Sequence, residues 1–459
     1  MLAKVLQLID DRRDEAVAGL RAFMAIPSVS ASPAHADDVK RCARFAADEL
    51  VKRGLDVLMR QTPGHPIVVA KTPQVAGRPT VLLYGHYDVQ PAEPFDKWDA
   101  PPFEPQVRTP PSGHQAIVGR GAADDKGQVW CHVQAIGAWN EVGGVPVNLI
   151  VLLEGEEEVG STNLERFVRD HRDELRADVA VISDTNQFAR GVPALTCGLR
   201  GLVYYEVFLT GPSHDLHSGM FGGSVPNPAN VLADLVASLH DSAGRVNLPG
   251  FYDDVKPIPP VEREAWRKLP FDEQRALEEL GLSAGVGEIG YTTLERRWAR
   301  PTCDVNGLTS GYQGHGAKTV IPSTASAKVS MRLVPDQDPA EVADAFERAM
   351  RERCPANVKI EFARHGMGGA VVVPADSPAM RLAADAVREG FGVGPTLIRE
   401  GGSIPVVALF KSVLDVDTLL VGFGLPDDRV HSPNEKFDLD ALHKGARTAA
   451  TLYERLARL

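Results

Sequence analysis

Four apolar runs in this chain end next to acidic residues or a histidine, and this pattern constrains the fold more than any other feature. Three of the runs, 80–84, 147–153 and 177–182, alternate with helical spacing at about 126–142 and 161–174. Strand, helix, strand, helix and strand in this order predict an α/β fold with a parallel sheet and helices on its faces. The strand ends of such a sheet converge on one crevice, so residues that are distant in sequence meet in one site.

Five clusters of carboxylates and histidines follow these runs or open a helix, and together they offer ligands for two metal ions. The clusters are Gly85–Asp88, Gly121–Gly127, Glu154–Gly160, Ser183–Thr185 and Val430–Glu435. Imidazole and carboxylate groups are the usual ligands of Zn²⁺ and similar ions. Taken singly, each cluster also fits an ordinary role, such as a helix cap at Asp124 and Asp125 or a solvated charge run at 154–158.

The length of 459 residues favours two domains over one. The strand and helix pattern changes near residue 198 to that of a compact α+β block, and the stretch 244–300 resists assignment. If His431 belongs with the first clusters, the α+β block is an insertion. The predicted organisation is then a catalytic domain in two parts, 1–197 and 372–459, with an inserted domain at 198–371.

Composition excludes several classes of partner. The net charge of −12 disfavours nucleic acid or an anionic membrane. No run of about 18 apolar residues exists, so we expect no membrane span. The amino terminus is too charged for a signal peptide, and the five cysteines form no CxxC pair. A reducing cytoplasm is the compartment that fits this cysteine usage best.

In their order, the motifs resemble the M20 family of dinuclear-zinc peptidases and amidohydrolases, nearly from end to end. The family motifs are His86-x-Asp88, Gly119-Arg120-Gly121-x-x-Asp124-Asp125-Lys126-Gly127, Glu157-Glu158-x-Gly160-Ser161, Asp184 and His431-Ser432-x-Asn434-Glu435. Further motifs are similar to the carnosinase-like and bacterial dipeptidase branch, namely Asp215-Leu216-His217-Ser218-Gly219, Ala317-Lys318-Thr319-Val320-Ile321-Pro322, Met331-Arg332-Leu333-Val334-Pro335 and Arg399-Glu400-Gly401-Gly402-Ser403-Ile404-Pro405. The resemblance implies a phosphorylase/hydrolase-like catalytic domain with an inserted α+β lid and dimerisation domain.

The resemblance also implies a site for two divalent ions, Zn²⁺ with Mn²⁺ or Co²⁺ as alternatives. The implied metal ligands are His86, Asp124, Glu158, Asp184 and His431, with Asp124 shared by both ions. A hydroxide that bridges the metals would be the nucleophile, and the peptide bond after Asp124 would be cis.

The catalytic residues implied by the resemblance are Glu157 as general base and Asp88 as the partner of His86. Glu156 departs from the family pattern, because it makes three glutamates in a row and leaves open which pair is functional. The register of Gly160-Ser161 favours Glu157 and Glu158.

For the inserted domain, the resemblance implies a lid and a homodimer interface. His217 and Thr319 would reach the active site of the other subunit, with His217 meeting the oxyanion. Arg332 and Ser403 would bind the carboxylate of the substrate, and Gly402, like Gly401 before it, would allow close approach of the backbone.

The implied activity is metal-dependent hydrolysis of dipeptides or short peptides that have a free carboxyl end. The alternative within the superfamily is an N-acyl-amino-acid deacylase or a carboxypeptidase, because these branches share the metal ligands. A non-catalytic metal-binding or scaffold homologue is a third hypothesis. It is disfavoured because all five ligands and Glu157 are present.

Overall fold

The computed structural model describes residues 1–110, 113–402 and 404–459. These residues divide into two compact units. The first unit comprises Met1–Cys197, Val373–Ile398 and Leu409–Leu459, and the second comprises Gly198–Val372 and Arg399–Ala408.

The segment Arg399–Ala408 belongs to the second unit, whereas the sequence placed it in the returning part of the catalytic domain. Hydrogen bonds within the second unit explain the difference. The Arg399 guanidinium donates to Glu262 at 2.8 Å, and the carbonyl of Gly401 accepts from Arg200 Nε at 2.9 Å.

The strands of the described residues are short, as is usual for an α/β protein. They are β1 (Asp56–Arg60), β2 (Ile67–Lys71), β3 (Thr80–His86), β4 (Gln106–Arg108), β5 (Ala116–Val118), β6 (Asn148–Glu154), β7 (Val179–Ile182), β8 (Ala194–Leu199), β9 (Gly201–Thr210), β10 (Leu216–His217), β11 (Thr302–Ser310), β12 (Val320–Ile321), β13 (Thr324–Leu333), β14 (Lys359–Gly368), β15 (Val371–Val372), β16 (Thr396–Glu400), β17 (Thr418–Leu420) and β18 (Lys436–Asp438).

The helices follow the same chain order. They are α1 (Leu2–Asp11), α2 (Arg13–Met24), α3 (Ala36–Lys52), α4 (Lys126–Glu141), α5 (Leu164–Asp170), α6 (Ser218–Phe221), α7 (Pro228–Ala237), α8 (Pro260–Arg267), α9 (Glu273–Glu279), α10 (Thr293–Ala299), α11 (Pro339–Arg353), α12 (Pro378–Phe391), α13 (Pro405–Leu409) and α14 (Leu439–Leu456). Short 3-10 turns cover Pro33–His35, Phe95–Lys97 and Glu157–Val159, and a π-helical turn covers Phe410–Leu414.

In the first unit, the main sheet has the strand order β1-β2-β6-β3-β7-β17-β8. Strand β3 runs parallel to both β6 and β7, and β17 runs parallel to β7. These central strands are almost entirely buried, as expected for parallel strands that are covered on both faces. The predicted strands over 80–84, 147–153 and 177–182 are confirmed as β3, β6 and β7.

Helices α4 and α14 line the core of the first unit. Both contribute small and aromatic side chains to one apolar cluster, including Trp130, Ala446 and Tyr453. The helix predicted over 126–142 is confirmed as α4, and the one predicted over 161–174 is only the seven-residue α5.

The second unit is built on a four-stranded antiparallel sheet with the order β11-β13-β9-β14. Along β9, Val203, Tyr205, Val207 and Leu209 are buried and alternate with more exposed residues. This period of two is typical of a sheet that packs one face against helices. The unassigned stretch 244–300 contains three helices, α8 to α10, in this unit.

Within the part of the chain that the structure describes, every helix is too short or too polar to span a bilayer.

Candidate metal centre

The ends of adjacent parallel strands in the first unit deliver the candidate ligands. His86 is the last residue of β3, and Asp184 comes two residues after β7. Glu158 lies in the 3-10 turn that follows β6. Because β6, β3, β7 and β17 are neighbours with the same direction, these side chains emerge at one edge of the sheet.

Asp124 lies between two histidines that are more than 300 residues apart in sequence. Its Oδ1 atom is 3.0 Å from Nε2 of His86, and its Oδ2 atom is 2.9 Å from Nε2 of His431. Each carboxylate oxygen thus faces a different imidazole. A carboxylate placed in this way is arranged to bridge two cations.

Each histidine has a second carboxylate beside it. Asp184 Oδ2 is 3.8 Å from Nε2 of His86, and Glu158 Oε2 is 3.3 Å from Nε2 of His431. Ligand atoms of His86, Asp124 and Glu158 all lie within 4.8 Å of one another. The structure therefore brings together all five residues that the sequence nominated as metal ligands.

His86 is held so that Nε2 points at this cluster. Its Nδ1 atom lies 3.1 Å from the backbone carbonyl of Asp88 and 3.4 Å from the Asp88 carboxylate. A carbonyl only accepts, so Nδ1 carries a proton, and once the ring is neutral Nε2 is the nitrogen that presents a lone pair. Nε2 is buried and has no hydrogen bond of good geometry, which is the state expected of a metal-ligating nitrogen.

Asp88 also holds the glutamate turn, because its Oδ2 accepts from the backbone N–H of Glu158 at 3.1 Å. One aspartate thus orients a ligand on β3 and another ligand after β6. The peptide bond between Asp124 and Asp125 is cis, as the resemblance implies.

The charges of the cluster favour a cation between the carboxylates. Burial lowers the pKa of His86, but the carboxylates of Asp124 and Asp88 raise this pKa well above its ordinary value. Burial raises the pKa of Asp184 well above its ordinary range, and the charge of Asp124 raises it further. Carboxylates crowded in this way are stabilised by positive charge, and imidazole with carboxylate oxygen is a donor set that fits Zn²⁺, Mn²⁺ or Co²⁺.

Glu156 and Glu157 point to different partners. The Glu156 carboxylate accepts from the backbone N–H of His65 at 3.0 Å and from Asn163 Nδ2 at 2.8 Å. Burial raises the pKa of Glu157 to about 7, with His86 lowering it and Glu158 raising it. Glu156 therefore connects two loops, whereas Glu157 belongs to the electrostatic neighbourhood of the candidate ligands.

Sequence reasoning missed the residues that support the glutamates. Gln90 Nε2 donates to Glu158 Oε2 at 2.8 Å. Glu154 accepts from the hydroxyls of Tyr84 at 2.5 Å and Ser161 at 2.8 Å. Gln90, Tyr84 and Ser161 each lie within a few positions of a candidate ligand or base. This closeness to the motifs is the sequence signal that could have identified their supporting role.

The candidate substrate residues of the second unit form two local groups. His217 and Thr319 are close because β10 pairs with β12 and the N–H of Ser218 donates to the Thr319 carbonyl at 3.2 Å. The N–H of Gly219 donates to His217 Nδ1 at 3.0 Å, so Nε2 carries the proton of the neutral ring. His217 and Thr319 are both exposed.

Arg332 and the glycines lie in the other group. Arg332 is half-buried on β13 opposite Thr302. Nη1 of Arg200 lies 3.5 Å from the hydroxyl of Thr302. Nε of Arg200 donates to the carbonyl of Gly401. Gly402 is exposed, and among the described residues other than its chain neighbours no atom lies within 4 Å of where its Cβ would be. Ser403 lies outside the described residues.

Comparison with known proteins identifies the family of this chain. The pattern of Peptidase family M20/M25/M40 matches residues 82–455. The chain is 34% identical to the Cys-Gly metallodipeptidase dug1 of Schizosaccharomyces pombe, with 99% of this chain and 98% of that protein covered. It is 32% identical to the Beta-Ala-His dipeptidase of Homo sapiens, with 100% and 93% covered.

A solved structure is similar over the same length. The M20 family metallo-carboxypeptidase Sso-CP2 from Sulfolobus solfataricus superposes with a TM-score of 0.86 at 31% identity, and the match covers 97% of this chain and 100% of that one.

Fold and site together define a metal-dependent hydrolase. The chain belongs to Peptidase family M20/M25/M40. The family and the α/β fold that the motifs indicated are thereby confirmed.

Proposed function

We propose that this enzyme hydrolyses the amide bond of dipeptides that have a free carboxyl end, and that two divalent metal ions take part. Its family and its full-length relatives make it a metal-dependent dipeptidase. The observation that carries the two-metal proposal is Asp124, whose two carboxylate oxygens face His86 at 3.0 Å and His431 at 2.9 Å.

The proposed ligands divide into two sets that share Asp124. His86 and Asp184 would hold one ion, and Glu158 and His431 would hold the other. When bound, the ions supply Lewis acidity toward the scissile carbonyl and lower the pKa of water. We propose Zn²⁺ as the physiological ion, with Mn²⁺ and Co²⁺ as alternatives, because the donors are imidazole nitrogen and carboxylate oxygen.

Glu157 is the proposed general base. A carboxylate that lies beside the candidate ligands is placed to accept a proton from water and to return it. Glu157 would take a proton from the attacking water and pass it to the leaving amine. Asp88 would keep His86 in the tautomer that presents Nε2.

The second unit is proposed to be the lid and the homodimer interface, and the first unit the catalytic domain. His217 and Thr319 of one subunit would serve the site of its partner, with the Nε2–H of His217 donating to the oxyanion. Arg332, Gly402 and Ser403 would receive the carboxylate of the substrate, because a guanidinium binds a carboxylate through two parallel hydrogen bonds.

We place the enzyme in the cytoplasm, since its five cysteines are free thiols.

A panel of substrates tests this proposal. Metal-stripped protein is titrated with Zn²⁺ and with Mn²⁺ and is assayed with free dipeptides, longer peptides, and N-acetyl and N-succinyl amino acids. We expect metal-restored cleavage of the dipeptides. Cleavage confined to the acylated compounds would replace the proposal with a deacylase, and absence of any cleavage would favour a non-catalytic role.

A carboxypeptidase is the second candidate, because Sso-CP2 is similar over the whole chain. Release of the last residue from peptides of three or more residues, at a rate that exceeds dipeptide cleavage, would favour it.

A further inference from the structure

Glu435 has a buried carboxylate that binds the loop preceding α4. Its Oε2 accepts from Arg120 Nη1 at 2.8 Å and from the Gly121 N–H at 3.0 Å. Its Oε1 accepts from the N–H groups of Ala123 at 2.9 Å and Asp124 at 3.2 Å. All four donors thus belong to the loop that carries the shared metal ligand.

The backbone of Glu435 is anchored to the same loop. Strand β18 pairs with β5, with Lys436 opposite Val118. One residue further along, the Gly119 N–H donates to the Glu435 carbonyl at 2.9 Å. The side chain and the main chain of Glu435 therefore both connect to the segment that leads to Asp124.

Glu435 also ends the loop that carries His431. His431 and Asn434 have left-handed backbones, with φ values of 62° each. This conformation is uncommon for non-glycine residues, although asparagine and histidine adopt it more readily than most. Asn434 is held by the N–H of Asp99 at 2.9 Å and by the carbonyl of Lys97 at 3.1 Å.

We propose that Glu435 is a positioning residue that sets the separation between Asp124 and His431 and thereby the affinity of the enzyme for its metal. It is not one of the five proposed ligands, and both of its carboxylate oxygens accept hydrogen bonds from the 120–124 loop. Without its carboxylate, three backbone N–H groups of the 121–124 loop lose their acceptor, and buried donors do not stay unpaired. The loop would then rearrange, and the 2.9 Å approach of His431 Nε2 to Asp124 Oδ2 would be lost.

A purely structural role is the competing explanation, since Arg120 and Glu435 are a buried ion pair, each with 1% of its side chain exposed. Loss of one partner of such a pair destabilises a protein wherever it lies. The two explanations differ in what they predict for metal binding by the folded variant.

The test compares Zn²⁺ affinity, thermal stability and dipeptide kinetics of Glu435→Gln and Glu435→Asp with those of the parent. The glutamine keeps the shape but presents an NH₂ group to donors, and the aspartate keeps the charge but is shorter. Zn²⁺ affinity is measured by competition with a chromophoric chelator, well below the melting temperature. We expect about 10- to 100-fold weaker binding, as is typical for residues that orient ligands. At saturating Zn²⁺, kcat should fall while KM stays unchanged.

Asp10→Asn is the matched control, because Asp10 accepts from Arg447 at 2.6 Å and lies 2.9 Å from His443 Nε2 in the same unit. It should lower the melting temperature without changing Zn²⁺ affinity. Folded Glu435 variants that bind Zn²⁺ like the parent would overturn the inference, as would failure of both to fold.

The inference rests on the proposed function only in that Asp124 and His431 bind metal. A parent protein that binds no Zn²⁺ would refute that function, whereas equal binding by parent and variants refutes only the role of Glu435.

Discussion

The candidate metal ligands of the first unit and the candidate substrate residues of the second unit are held in different ways. His86 is fully buried and Asp124 and Glu158 are nearly so, with partners on more than one loop, and His431 alone of these ligands is exposed. His217 and Thr319 are exposed and are held by local contacts of the two-stranded β10–β12 sheet.

The difference follows from the cost of burying charge. Carboxylates and imidazoles that leave water need partners, so their geometry must be built into the fold. Exposed groups on short strands and loops keep their hydration and are free to adjust when a substrate binds. We therefore expect substitutions in the first unit to change metal binding and kcat, and those in the second unit to change KM or to act between subunits.

Asp124→Asn tests the most strongly held position and should have the largest effect. Loss of the shared charge should weaken binding of both ions and lower kcat/KM by about 10³-fold or more. Metal content by mass spectrometry and kcat/KM for a dipeptide are the measurements. Asp170→Asn, on the exposed face of α5, is the control and should match the parent. Full metal content in Asp124→Asn would contradict the sharing of this residue.

Glu157→Gln separates chemistry from metal binding. We expect both metals to remain bound and kcat to fall by about 10²- to 10⁴-fold, the range for a general acid–base residue. Glu156→Gln is its neighbour control, because Glu156 contacts His65 and Asn163 instead, and it should retain most of the activity. An active Glu157→Gln enzyme would exclude Glu157 as the base.

Arg332→Lys examines a candidate substrate residue of the second unit. A lysine cannot form the two parallel hydrogen bonds of a guanidinium, so KM for a dipeptide should rise about tenfold with little change in kcat. The corresponding dipeptide amide, which has no carboxylate, should show no such change. Arg364→Lys on β14 controls for loss of an arginine from the same sheet. An equal rise in KM for the amide would contradict carboxylate binding.

Mixing two inactive variants tests whether the second unit acts across a dimer. His217→Ala and Glu157→Gln proteins are combined in equal amounts under conditions of subunit exchange. Activity should recover to about a quarter of the parent value, because half of the dimers are mixed and each has one complete site. Exchange that is demonstrated by mass spectrometry but restores nothing would show that His217 does not act on the partner.

Much of the first unit was predictable from local pattern. Strands β3, β6 and β7 are continuous apolar runs of at most seven residues, and this short length favours strands over helices. Strands β1 and β2 were not predicted. Asp56–Arg60 mixes charged with apolar residues and is only partly buried, whereas Ile67–Lys71 is a buried apolar run that was overlooked. Helix α10 has a capping box, formed by Thr292 and Glu295, that was present in the sequence but unrecognised.

The three consecutive glutamates show what the structure adds to a motif. The register of Gly160-Ser161 already favoured Glu157 and Glu158 as the functional pair. The structure adds the partners of Glu156, which are Asn163 and the backbone N–H of His65. Spacing alone does not specify such partners, because they lie on another loop or depend on how the turn is folded.

The sequence by itself determined the kinds of ligand, their order and the strands that end beside them, because these depend on residue type and short-range periodicity. Only the tertiary structure decided that Glu435 reaches the Asp124 loop, 311 residues away, and that Arg399–Ala408 joins the second unit. Both depend on hydrogen bonds between segments that are remote in sequence, and such bonds form only once packing has brought the segments together and removed the competing water.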